Sequence, residues 1–117
     1  MIRIKTMKDA HILSQQASDA LTVFAAMIRA ARLQRGMTAA ELGARVGVSR
    51  GVIQRLEAGE PGTSIGAAFE AAVILGLPLF DVESSQLGTL RSQKQAVNAL
   101  LPKRAFQASQ AKPDNDF

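Results

Sequence analysis

The sequence predicts an all-α fold, and three observations predict it. Apolar residues recur at helical spacing in one segment after another, serines or threonines head these segments, and glycines close them. The composition agrees: 47% of the 117 residues are hydrophobic, and five phenylalanines are accompanied by neither tryptophan nor tyrosine. Such a set suits a small helical core better than a sheet. A chain of this length makes one domain with tails.

Residues 1–17 read as an N-terminal arm, with an extended start at "MIRIK", where Ile2, Arg3, Ile4 and Lys5 alternate. A first helix runs from an N-cap at Ser18 through Leu21, Phe24 and Ile28 to a left-handed stop at Gly36. Thr38 and Glu41 form a capping box, worth about 1 kcal/mol, that opens a second helix. This helix turns Leu42 and Val46 inward and stops at Gly47. Ser49 caps a third helix, with Val48 as a staple before the cap, Ile53 and Leu56 inward, and Gly59 at the end. After the loop "GEPGTS", Ser64 caps a fourth helix that turns Ile65, Phe69, Ala72 and Leu75 inward and stops at Gly76. Pro78 opens a short fifth helix through Leu79, Phe80 and Val82. Beyond it, Leu87, Leu90, Val97, Leu100 and Leu101 mark an additional C-terminal helix, weakened by Gly88 and by Lys94 on its apolar face. The expected organisation is an arm (1–17), a five-helix body (18–84), a C-terminal helix suited to dimerisation (85–101) and a flexible tail (102–117).

Much chemistry is excluded. No cysteine is present, so there are no disulfides or thiolate metal sites, which is compatible with a reducing cytoplasm. His11 is the single histidine and has no carboxylate cluster beside it, so it reads as a surface residue rather than a ligand or base. Paired carboxylates and a phosphate-cradling glycine loop are lacking, since "GEPG" has neither the lysine nor the hydroxyl that such a loop needs. An enzyme, a metal site, a cofactor and a small-molecule substrate are therefore not expected. The start has scattered charges and no apolar run, and no stretch approaches the roughly 18 residues of a membrane span. The expected location is the cytoplasm.

The net charge of +4 favours a polyanionic partner, and its distribution says more. Arg29, Arg32, Arg35, Arg45, Arg50 and Arg55 gather on the segment that carries the second and third helices. Two short helices joined through Gly47 cross steeply, as a helix-turn-helix does, with Gly43 and Ala40 supplying the small residues where they approach. Arg50, Gly51, Gln54 and Arg55 then fall opposite Ile53 and Leu56. In a major groove arginine bonds guanine O6 and N7, glutamine bonds adenine N6 and N7, and each good pair discriminates by about 1–3 kcal/mol. Gly51 and Val52 permit close approach or touch a thymine methyl. A solvated face is the default for such a helix. The joint spacing of Thr38, Glu41, Gly47, Val48, Ser49, Ile53 and Glu57 reverses that default.

The stretches "TAAELGARVGVS", "VIQRLEAG" and "AAVILGL" resemble the Xre/Cro-type helix-turn-helix family, with its lambda-repressor-like fold, over about residues 20–83. The resemblance implies a buried ion pair between Arg32 and Glu57. It implies backbone phosphate contacts from the head of the second helix, at Thr38 and Ala39, and from Ser49, helped by Arg29, Arg35 and Arg45. Two departures weaken that anchoring: the family's usual glutamine is Ala39 here, and the loop after the third helix offers Ala58 and Glu60.

More narrowly, "EAGEPGTSIGAAFEAAVILGL", "LPKRAF" and the terminal "DNDF" resemble HipB-like antitoxins of HipA-type toxin-antitoxin pairs. That resemblance implies a homodimer that binds palindromic double-stranded operator DNA, represses its own operon and neutralises a HipA-type serine/threonine kinase toxin. Two recognition helices about 34 Å apart would supply the specificity one lacks. Asp114, Asp116 and Phe117 have the form of an anchor for the toxin, an aromatic for a pocket beside carboxylates for a basic rim. For Lys103 and Arg104 the alternative contact is DNA. Two other functions stay open: a stand-alone Xre-type regulator, and a helix-turn-helix used only to bind protein.

Overall fold

The computed structural model describes residues 12–105. The "MIRIK" start, His11 and the terminal Asp114, Asp116 and Phe117 lie outside them. Among the described residues are five α-helices: α1 (Gln15–Gln34), α2 (Ala39–Val46), α3 (Arg50–Glu57), α4 (Ile65–Ile74) and α5 (Leu87–Ala99). The chain divides between Ser84 and Ser85 into two compact units, the first holding α1 to α4 and the second α5.

Helix α1 begins a turn earlier than the sequence suggests. Ser14, not Ser18, is the cap, its hydroxyl accepting from the Ala17 N–H at 3.1 Å, while the Ser18 N–H donates to the Ser14 carbonyl inside the first turn. Gln15, Gln16 and Ala17 are good helix formers, so nothing halts the helix before the earlier serine. Apolar periodicity starts at Leu21 because only there does the helix reach the core. Residues 15–17, expected in the arm, are helical.

The capping box of α2 is reciprocal: Glu41 N–H donates to Thr38 Oγ1 at 3.0 Å, and Thr38 N–H donates to Glu41 Oε1 at 2.8 Å. The helix stops at Gly47, whose φ of 92° is open to glycine at no steric cost. Both the Gly47 and Val48 N–H groups donate to the Gly43 carbonyl, which folds the chain back sharply. A Cβ at Gly43 would stand 2.7 Å from the Val48 carbonyl oxygen, so the start of α3 lies directly against that position. Ala40, expected to share this contact, is exposed, because the closest approach falls in the last turn of α2 and Ala40 lies one turn back.

Ser49 caps α3 by accepting from Val52 N–H. Ile28 of α1, Leu42 of α2, and Ile53 and Leu56 of α3 meet Ala68, Ala71 and Leu75 in one core, with Val48 packed at its edge. Helix α4 turns its alanines inward rather than Ile65, which is 71% exposed. The sequence of α4 is apolar on nearly every side, so periodicity could not select the face. Small side chains let its backbone approach closely, and Ala67, Ala68, Ala71 and Ala72 are the buried set. Phe69, only half-buried, meets Phe24 and Phe80 edge-on, with ring centroids 6.4 and 6.0 Å away.

The fifth helix expected from Pro78 to Val82 is absent. Leu79 and Val82 instead exchange both backbone hydrogen bonds across a two-residue turn in which Phe80 and Asp81 have φ of 56° and 62°. Left-handed backbone at a residue like Phe80 costs about 1–2 kcal/mol, and its edge contact with Phe69 returns about 0.5–1.5 kcal/mol. A single helical turn after Pro78 would leave several peptide groups unpaired, whereas this turn closes two hydrogen bonds. A 3-10 turn (Ser84–Gln86) leads into α5, none of whose residues is buried.

Candidate nucleic-acid interface

Helix α3 advances 100° per residue. Arg50, Gly51, Gln54 and Arg55 therefore occupy one 140° sector, and Ile53 and Leu56 the opposite side. Burial follows this division: Ile53 is fully buried and Leu56 nearly so, while Arg50, Gln54 and Arg55 are exposed and Gly51 half-exposed. Val52 is also half-exposed and stands at the margin of this face.

Gly51 has a role that spacing alone did not reveal. A Cβ placed there would sit 3.5 Å from Arg55 Nη1 and 3.7 Å from Ser49 Oγ. The Arg55 side chain thus runs back along the helix over the bare glycine, and its guanidinium lies close to the helix start. The two arginines five residues apart in sequence, Arg50 and Arg55, are both presented toward the N-terminal end of α3. Arginine at i+4 from a glycine was the available signal.

The orientation of α3 is held from beneath. Arg32 Nε donates to Glu57 Oε2 at 2.7 Å and Arg32 Nη2 donates to Glu57 Oε1 at 2.9 Å, a two-pronged pair with side chains 11% and 7% exposed. The hydrogen bond to Glu57 raises the Arg32 pKa above its ordinary value and outweighs the lowering by burial; the Glu57 charge adds to the rise. Arg32 Nη1 donates to the Met37 carbonyl at 2.8 Å, a bond invisible to motif reading. One guanidinium thereby ties the end of α3 and the α1–α2 linker to α1.

Around α3 stand the groups considered for backbone anchoring. Thr38 and Ser49 are exposed and their hydroxyls already accept the cap bonds. Ala39 is half-buried against the core and offers its backbone alone. The N–H groups of Ala39 and Ala40 lack intrahelical partners by virtue of their place in the first turn. Arg35 and Arg45 line one open groove with Met37 and Glu41, so two cations flank the α1–α2 junction. Arg35 also reaches across to the end of α4, where a Cβ at Gly76 would stand 2.9 Å from its Nη2. Arg29 is exposed on α1 and does not line that groove. Ala58 and Glu60 are exposed, and the Glu60 backbone is used within the loop, donating to the Arg55 carbonyl and accepting from Thr63.

Among the described residues no helix is long and apolar enough to cross a membrane, and no cluster of potential metal ligands occurs. Residues 28–82, which run from the middle of α1 to the Leu79–Val82 turn, match the family model described as Helix-turn-helix, HTH_3. No curated protein and no solved structure matches the chain.

Proposed function

We propose that this helix-turn-helix protein is a sequence-specific regulator that lays α3 in the major groove of double-stranded operator DNA. The observation that carries this reading is the sorting of α3: Arg50, Gly51, Gln54 and Arg55 on the outside, Ile53 and Leu56 beneath. Arg50 and Arg55 read guanines, Gln54 reads adenine, and the bare backbone at Gly51 lets the helix approach the base edges. The first turn of α2, Ser49 and the cations Arg29, Arg35 and Arg45 hold phosphates and set the register. The test is a gel-shift titration with DNA from upstream of the gene. An R50A/R55A double variant is expected to lose its preference for that DNA over scrambled competitor by roughly 30-fold or more, at about 1–3 kcal/mol per arginine. An unchanged preference would refute groove reading by these residues.

The finer reading is an antitoxin that works as a homodimer, represses its own operon and neutralises a HipA-type serine/threonine kinase toxin in the cytoplasm. It is supported by the resemblance of the 57–77 stretch, of "LPKRAF" and of the terminal "DNDF". Deleting residues 102–117, with Asp114, Asp116 and Phe117, is expected to weaken binding of the kinase in calorimetry while operator binding persists. Equal kinase affinity in the truncated chain defeats the tail contact. A helix-turn-helix used only for protein binding is favoured by Ala39, Ala58 and Glu60, which remove phosphate contacts. Absence of any DNA binding in the gel shift would select it.

A further inference from the structure

Charge is sorted along the second half of the chain. From Glu57 to Glu83 the acidic residues are Glu57, Glu60, Glu70, Asp81 and Glu83, and there is no lysine or arginine. From Ser84 to Ala105 the relation inverts: Arg91, Lys94, Lys103 and Arg104 occur with no acidic residue. Glu57 is taken up by Arg32, but Glu60, Glu70, Asp81 and Glu83 are exposed. Arg35 reaches the acidic block at Gly76, beyond the end of α4.

Each block also carries exposed apolar side chains among the described residues. On the acidic one, Ile65 is 71% exposed, Phe80 is held out 68% exposed on a strained turn, and Val73 is exposed. Beside them an apolar groove of about 320 Å³ runs between α1 and α4, with Leu21, Phe24, Pro61, Ile65 and Phe69 among its walls. Thr63 is its one polar side chain, so it lacks the convergent polar groups of a small-molecule site. On the basic block, Leu87, Leu90, Lys94 and Val97 follow one another at spacings of three, four and three, a seam along one side of α5, with Leu101 just beyond the helix end. Val97 and Leu101 are exposed, and Leu87 and Leu90 are half-exposed.

Two α5 helices pairing with each other would be poorly matched. A parallel pairing brings Lys94 against its copy and an antiparallel one brings it against Leu90, and neither offers it a carboxylate. A phosphate backbone has no use for leucines and valine. The surface that offers both carboxylates and apolar side chains is the 57–83 block.

We infer that two copies of this chain pair reciprocally, the α5 seam of each docking on the acidic, aromatic face around α4 and Phe80 of the other. Its apolar side chains cover Ile65, Phe69 and Phe80, while Arg91 and Lys94 meet Glu70 and Glu83. The contact is made twice about one two-fold axis and so closes at a dimer. This deepens the dimeric reading above and rests on it only in that two copies associate.

Sedimentation equilibrium of the full chain without DNA tests it. The wild type is expected at twice the 12.4 kDa of one chain. Reversing charge in the basic block (R91E/K94E) or in the acidic block (E70K/E83K) puts like charges face to face and should raise the dimer dissociation constant at least about tenfold. All four positions are exposed, and unaltered circular dichroism checks that the variants fold. Mixing the two variants in equal amounts should restore the dimer, because both reciprocal contacts then unite opposite charges. A monomeric wild type, or a mixture no more associated than its components, overturns the inference. Because mass is read without DNA, a pairing chain that ignores operator refutes groove reading alone, and a monomer that binds operator refutes this pairing alone.

Discussion

Arg32 and Glu57 show how one pair of side chains can govern the placement of a whole helix. Removing either leaves a buried charge without its partner, at about 3–5 kcal/mol. Arg32→Ala or Glu57→Ala is therefore expected to lower the melting temperature by on the order of 15 °C, read by circular dichroism. The pH dependence has a definite sign. A raised folded-state pKa on Arg32 means that its contribution is complete below the ordinary arginine pKa and is lost only as pH climbs through the still higher folded value. Titration of Arg32 is thus expected to add no slope to stability between pH 6 and 9, and the effect of Arg32→Ala on the melting temperature should be the same at both ends. Gly43 is the second critical residue. A methyl there would meet the Val48 carbonyl, a backbone atom that cannot swing aside, so Gly43→Ala is expected to destabilise by about 1–3 kcal/mol in urea titration.

At the scale of elements, the Leu79–Val82 turn is where local preference and observed structure diverge most. Asparagine followed by glycine suits left-handed backbone far better than Phe80 and Asp81 do. An F80N/D81G double variant should raise the melting temperature measured at low concentration, by roughly 0.5–1 kcal/mol in stability. Its effect on association at high concentration should be the opposite. The α2–α3 unit was legible beforehand because its signals are local: Thr38 with Glu41, Gly47 and Ser49 each act on peptide groups within a few residues. Helix α4 was legible in extent, from Ser64 to the glycine after Leu75, and in the burial of Ala72 and Leu75, but not in the outward turn of Ile65. With apolar residues all round, its inner face was chosen by how closely alanine lets helices approach, which is a property of the neighbours. The turn at Phe80 was illegible for the same reason, since its conformation depends on Phe69, eleven residues earlier. The early start of α1 reflects a helix that outruns the core it serves. On α3, spacing identified the outer residues but not the course of the Arg55 side chain, which depends on the absent Cβ of Gly51.

For the molecule as a whole, the proposed function expects the arginines away from α3 to set the strength of nucleic-acid binding rather than its sequence preference. Each phosphate contact removed lowers the slope of log affinity against log salt by about 0.9. An R35A/R45A variant should flatten that slope by roughly one to two while the ratio of operator to scrambled affinity stays near the wild-type value. Filter binding over a salt series measures both. The crossing of α2 and α3 has a mechanical corollary. With the Gly43 backbone touching the turn and Arg32 clamping both Glu57 and the Met37 carbonyl, the two helices form a single stiff bracket. A rigid tool of this kind does not tilt to suit an imperfect site. If α3 reads DNA as proposed, tolerance toward variant operators has to come from the swing of long guanidinium arms, or from DNA that bends to meet it.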